Sequence, residues 1–383
     1  MSLFRVKYLS FFFILISFFS FLNILYSYYF NLYLNLNTYY FSLGLSAIIG
    51  LVFYKLKSNE RKPNIFEKIL TVLLGYFLMP LVLCVPLYLS IYNLTFLSAY
   101  FETVSGFTST GFTIFNNIKH LDQGLILWRS SIQWIGGLYF LYSIIFLIDI
   151  YDESLKKSLT NFLSFNSSEV LKQAIKIFLL YSGLTIFIFI ILNIIGIRSF
   201  NSLNLAMTII SNGGFLPTNF LNQIINDKNS IYLILSLFIS ILNIFFIFNL
   251  FNKRKIYSYH QEDLALIIFV SLLSIITIFT VSNFGYDELI INILSSVANS
   301  GITTSVNVGS MGLFFVILTL IGGSVVSNSS GVKFIRIYIL FKNAAAEILK
   351  LVRPNNVFNN SIFYSDKKLD NQIISLSFLI FIS

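Results

Sequence analysis

Long apolar stretches alternate with short polar ones along the whole chain. Apolar segments cover 8–30, 39–54, 66–92, 124–150, 174–197, 230–252, 264–283 and 309–341, with a shorter one at 373–383. Most reach the roughly 20 residues that a helix needs to cross a hydrocarbon core. The ~10-residue alternating segments of a β-barrel do not occur. The pattern therefore predicts an all-α polytopic membrane protein. Three polar, glycine-bearing stretches interrupt it: TVSGFTSTGFT (103–113), TIISNGGFLPTN (208–219) and SSVANSGITTS (295–305). Irregular backbone is tolerated at bilayer depth only where protein buries it or water fills the space beside it. Three such loops at recurring places predict one pore lined by backbone.

Each repeat consists of a helix, a short helix of about ten residues, a glycine turn and another helix. The central glycines are Gly111, Gly214 and Gly301. Short helices of that length cover roughly 15 Å, so their negative C-terminal ends stop near mid-depth, where they favour a cation. Glycine permits dihedrals that aim successive carbonyls inward. Around it, Thr108, Ser109, Thr110, Ser211, Asn212, Asn299 and Ser300 add oxygens. Rings of carbonyls that replace a hydration shell are a means of selecting monovalent cations. The candidate ion-binding set is Thr110, Gly111, Asn212, Gly213, Gly214, Asn299, Ser300 and Gly301. A fourth polar interruption, with Ser324, Ser327, Asn328, Ser329 and Ser330, falls inside 309–341. It is either a loop lining the path or a simple connection between two shorter helices.

Composition sharpens this picture. Only 11% of the 383 residues are charged and 56% are hydrophobic, against about 25% charged in soluble domains. Cys84 is the one cysteine, and His120 and His260 lie in different connections. Neither a disulfide framework nor a metal cluster is expected. Residues 8–30 lack a small-residue cleavage site, so they are expected to remain as a first helix. The net charge is +9, from 25 basic and 16 acidic residues. With a cytoplasmic N-terminus and three loops that dip in and return, all basic residues but Lys119, Arg129, Arg198 and Lys228 fall on the inner side. This bias fixes the orientation and points to lipid headgroups rather than nucleic acid. Clustered acid–base residues, P-loops and HExxH motifs are missing, which argues against a membrane enzyme. Glu102, in the first short helix, either attracts cations or pairs with Arg129. Asp149 reads as a solvated carboxylate at a helix end.

The stretch FETVSGFTSTGF (101–112), with WRSSIQWIGGL (128–138) after it, resembles the first pore unit of the Trk/Ktr/HKT potassium-transporter superfamily, in particular bacterial TrkH-like subunits. SNGGF (211–215) and SVANSGITT (296–304) resemble its second and third filters, and GGSVVSNSSGVKFIR (322–336) its broken inner helix. The resemblance implies potassium uptake across the cytoplasmic (inner) membrane, with potassium at Thr110, Gly111, Gly214 and Gly301. It implies a gating loop with Gly322, Gly323, Ser324, Ser327, Asn328 and Gly331, although Val326 and Ser330 stand where the family has glycine. It also implies membrane lipid around the chain, a second copy of it, and a cytosolic nucleotide-binding TrkA-like subunit. No organic cofactor is implied. The expected organisation is a two-helix extension (1–60), pore units at 61–157, 158–257 and 258–356, and the start of a fourth at 357–383. A fourth filter at the same spacing would fall beyond Ser383, so the chain reads as truncated in its fourth repeat. The alternatives are a non-conducting fragment of that kind and, less well supported, a polytopic membrane enzyme.

Overall fold

The computed structural model describes residues 7–56, 64–147, 170–225, 229–250, 260–281, 285–303 and 311–352, with 374–375 and 377–378. These residues form helices and turns, with no strand among them. The chain divides into two compact units: residues 1–150, 164–232 and 300–302, and residues 151–163, 233–299 and 303–383. The expected boundaries at 60, 157, 257 and 356 lie outside the described residues. So do Asp149, most of 373–383, and many of the basic residues in the charge tally, including Arg5, Lys57, Lys156, Lys253 and Arg353.

The first unit begins with a hairpin of α1 (Lys7–Tyr29) and α2 (Leu36–Lys55). Small polar residues let the two approach closely. The Ser20 and Ser42 hydroxyls meet at 3.1 Å in the buried seam, and a Cβ on Gly50 would lie 3.1 Å from Ile14 Cγ1. The outer faces stay apolar: Phe18, Phe41 and Ile48 are all exposed, as suits a lipid-facing surface. α3 (Ile65–Ser90) starts on a capping box of Asn64 and Glu67, which satisfies two orphan N–H groups reciprocally. Short α4 (Phe96–Phe107), capped by Thr95, precedes α5 (Gln123–Phe146). α6 (Val170–Ile194) and short α7 (Ser199–Ser211) repeat the pattern. At 12 and 13 residues, α4 and α7 are about 18–20 Å long, too short to span.

The next helix, α8 (Ser230–Ile241), crosses from the first unit's residues into the second's. The second unit continues with a single helical turn at Phe246–Asn249, α9 (Gln261–Thr280), α10 (Tyr286–Ala298), α11 (Gly312–Ile321) and α12 (Phe334–Val352). Among the described residues, five helices are long and apolar enough to cross a membrane: α1, α2, α3, α9 and the Ala174–Ile194 part of α6.

Two departures from the hydrophobic pattern stand out. The apolar run 230–252 predicts one helix, but the helix breaks after Ile241. The interruption in 309–341 is where the polar residues place it, yet α12 continues past Ile339 to Val352, beyond the apolar run.

Candidate functional site

The three glycine turns share one backbone geometry. Within two residues of the end of each short helix stands a residue with left-handed φ, followed by one ordinary residue and then a positive-φ glycine. The pairs are Ser109 (55°) and Gly111 (81°), Asn212 (52°) and Gly214 (79°), and Asn299 (57°) and Gly301 (65°). Left-handed φ costs a side chain roughly 1–2 kcal/mol. Asn tolerates it better than most, and glycine is not penalised. Six residues before each glycine stands a hydroxyl: Ser105, Thr208 and Ser295. In the first two turns its role is visible. Ser105 Oγ donates to Phe112 O at 2.6 Å, and Thr208 Oγ1 donates to Phe215 O at 2.7 Å. The hydroxyl thus ties the chain leaving the turn back to the helix entering it.

Within the first unit the turns abut one another. A Cβ on Gly111 would lie 2.9 Å from Gly213 O, and one on Gly214 would lie 2.5 Å from Ser300 O. Gly111 and Gly214 thus each rest on the carbonyl that precedes the next glycine, so the first turn leads onto the second and the second onto the third. Thr110, Gly111, Gly213, Gly214, Ser300 and Gly301 are brought together in this way. Thr110 is exposed, with its hydroxyl 2.7 Å from that of Thr108. The two asparagines act differently. Asn212 is buried as the cap of α7. In the second unit, the Asn299 amide donates to Thr319 O at 2.8 Å, so that side chain holds α11.

One face of α5 braces the first two turns. Arg129, Gln133 and Gly136 are spaced four and three apart, which aligns them on a helix. Arg129 was assigned to the outer surface in the charge tally, but it is 1% exposed and forms a 2.7 Å ion pair with fully buried Glu102. The carboxylate also accepts from Thr113 Oγ1 and Ile114 N, both at 2.9 Å. The Arg129 guanidinium lies 4.3 Å from the Phe215 ring centre, so the pair touches the segments that follow both turns. Gln133 Nε2 donates to Gly213 O at 2.5 Å, and its Oε1 accepts from Phe215 N at 3.3 Å. Gly136 lets the end of α4 seat against α5, because any Cβ there would collide with the Phe107 carbonyl. Sequence reasoning missed Gln133. Its polar amide in an apolar helix, four residues from Arg129, was the available signal.

In the second unit, residues 322–333 fold into a compact polar loop. Gly322, Gly323, Ser324 and Ser327 are buried, Asn328 is half-buried and Gly331 is exposed. The loop and the break after Ile241 satisfy each other. Ser324 N donates to Ile241 O at 3.0 Å, and Ile244 N donates to Val326 O at 3.1 Å. Two carboxylates in the first turn of α9 complete the set. Glu262 accepts from Val325 N at 3.1 Å, and Asp263 accepts from Asn243 N at 2.9 Å. A break without proline is supported here because Ile241 O, Asn243 N, Ile244 N and Phe245 N all find partners. Lys333, itself at φ 76°, folds its ammonium back into the loop. It donates to Ser327 O at 3.1 Å and to Ser329 O and Oγ. Buried Lys333 and half-buried Glu262, which support the loop, were not singled out from sequence.

No family model matches the chain. It is 27% identical over 367 residues to a Methanocaldococcus jannaschii protein named as an uncharacterized cation transporter, covering 92% of this chain and 75% of that one. It is also 27% identical over 304 residues to the Trk system potassium uptake protein TrkH of Salmonella typhimurium, and 25% identical over 304 residues to that of Escherichia coli. Each of these alignments covers 74% of this chain and 62% of TrkH, so the chain spans less than two thirds of those relatives. In fold it is similar to the crystal structure of the potassium transporter TrkH from Vibrio parahaemolyticus. The TM-score is 0.80 at 18% identity, over 97% of this chain and 81% of that one.

Proposed function

We propose that this TrkH-like chain, a transport protein rather than an enzyme, takes up potassium across the cytoplasmic membrane through the three glycine turns. The single observation that carries this reading is the succession of the turns, with Gly111 and Gly214 each lying on the carbonyl before the next glycine. Backbone oxygens brought together at the negative ends of short helices suit a partly dehydrated monovalent cation. Thr110, Gly111, Gly214 and Gly301 are the positions proposed to meet the ion. Gly213 O already accepts from Gln133, so it is held from behind and keeps only one lone pair for other use. The proposed setting is a multi-pass protein with its N-terminus in the cytoplasm. The proposed partners are membrane lipid, a second copy and a cytosolic nucleotide-binding TrkA-like subunit.

The test is potassium-limited growth of a host that lacks its own potassium uptake. Expression of this chain in the membrane is expected to restore growth. A correctly inserted chain that restores none would favour the non-conducting alternative.

The loop 322–331 is proposed to regulate passage, with Lys333 as the residue that holds it folded. The ammonium bonds the Ser327 and Ser329 carbonyls and the Ser329 hydroxyl, which also accepts from Gly323 N at 2.8 Å. Lys333→Met removes those bonds and keeps the chain length. Potassium uptake is expected to rise several-fold. In a chain whose buried Cys84 has been replaced by alanine, Asn328→Cys should then react faster with a water-soluble thiol reagent. Unchanged uptake and unchanged labelling would remove Lys333 from the regulatory role.

A further inference from the structure

The chain has two histidines, and one of them, His260, is fully buried at the start of α9. Both of its ring nitrogens are engaged. Nε2 lies 3.1 Å from Asn249 Nδ2, and Nδ1 lies 2.7 Å from Asp263 Oδ2. An amide nitrogen only donates. Nε2 therefore accepts, and the proton sits on Nδ1, aimed at the carboxylate. The Phe246 ring packs edge-on against the imidazole, with ring centres 5.3 Å apart.

Asp263 carries this bond on to the break after Ile241. With Oδ2 held by His260, its Oδ1 accepts from Asn243 N at 2.9 Å. The last torsion of an aspartate has only a broad preference, so a partner on one oxygen is what aims the other. Asn243 lies between two residues that bond the loop. Ile241 O accepts from Ser324 N, and Ile244 N donates to Val326 O. The loop thus leans on a short stretch of chain whose middle is fixed by Asp263. Glu262, the neighbour of Asp263, holds the loop directly at Val325 N. α9 therefore supports the loop twice, once directly and once through the break.

We propose that His260 is the positioning residue of the indirect support. Its Nδ1 sets the Asp263 carboxylate, and the carboxylate keeps the break in the shape on which the loop 322–331 rests. The functional consequence rests on the regulatory role proposed for that loop. The two nitrogens have separate effects. Nδ1 acts on the loop, whereas Nε2 anchors only the turn Phe246–Asn249.

That separation gives the test. His260→Asn places an amide N–H near the position of Nδ1, and His260→Gln places its amide near that of Nε2. In a chain carrying Cys84→Ala and Asn328→Cys, labelling by a water-soluble thiol reagent reports how open the loop is. His260→Gln, which loses the bond to Asp263, should label several-fold faster than this parent. His260→Asn, which keeps that bond, should label at close to the parent rate. Asp263→Ala should match His260→Gln, and combining the two should give no further increase, because both remove the same support. Equal rates for His260→Asn and His260→Gln, or single effects that multiply in the double variant, would overturn the proposal. Uptake separates it from the reading of the loop. Fast labelling of His260→Gln with unchanged potassium uptake would uphold the positioning and remove the loop's regulatory role. Parent-like labelling of His260→Gln beside fast labelling of Lys333→Met would overturn the positioning alone.

Discussion

Replacing Gly214 by alanine is expected to reduce potassium uptake to background. The added Cβ would lie 2.5 Å from Ser300 O, a backbone atom, and the residue has a φ of 79°. The left-handed conformation alone costs about 1–2 kcal/mol, and the contact forces the second and third turns apart. Gly301→Ala is a graded comparison. Its φ is 65°, but among the described residues nothing lies within 4 Å of its Cβ position, so only the backbone term applies and uptake should fall less. Gly44, in α2, has an ordinary φ and open space around it. Alanine there should leave uptake unchanged and stabilise the helix by about 0.5–1 kcal/mol. The order Gly214 > Gly301 > Gly44 follows from local geometry, and uptake rates normalised to protein in the membrane check it. Equal effects at all three sites would show that the succession of the turns is not what matters.

The second large effect is expected at the buried ion pair. Glu102→Gln leaves the Arg129 guanidinium, 1% exposed, without its carboxylate. Breaking a buried pair from one side typically costs about 3–5 kcal/mol. Because Arg129 also stacks on Phe215 and bonds Thr113, the strain reaches the segments after both turns, so uptake should fall with stability. Replacing both partners by methionine removes the charge without stranding either group, so most of the loss should be recovered. Thermal melting of the wild type, Glu102→Met, Arg129→Met and the double variant in one detergent, read as a double-mutant cycle, measures the coupling. Additive losses would mean that the pair is structurally incidental.

These residues also show what could be read from the chain and what could not. The glycine turns and the short helices before them were legible because each lies between long apolar runs, where a polar stretch needs a physical excuse. The Glu102–Arg129 contact was one of two readings, and burial decides for it. The recurring hydroxyl six residues before each glycine was equally visible as a spacing. Its meaning comes only from the bonds to Phe112 and Phe215. The break after Ile241 could not be read, since Leu242, Asn243, Ile244 and Phe245 carry no proline or glycine. Its freed backbone groups are satisfied by Ser324, Val326 and Asp263, all distant in sequence. Lys333 was hidden for a related reason. A lysine at the end of an apolar stretch ordinarily reads as a topology signal, whereas here it is folded back into the loop.

The central claim is that the three turns form one cation path, and ion flux through the purified chain tests it most directly. In liposomes with a potassium gradient, the wild-type protein should carry potassium, whereas Gly111→Ala and Gly214→Ala, compared at equal amounts of folded protein, should not. Potassium flux that persists in both variants would contradict the account, because ions would then be crossing by a route that the turns do not line.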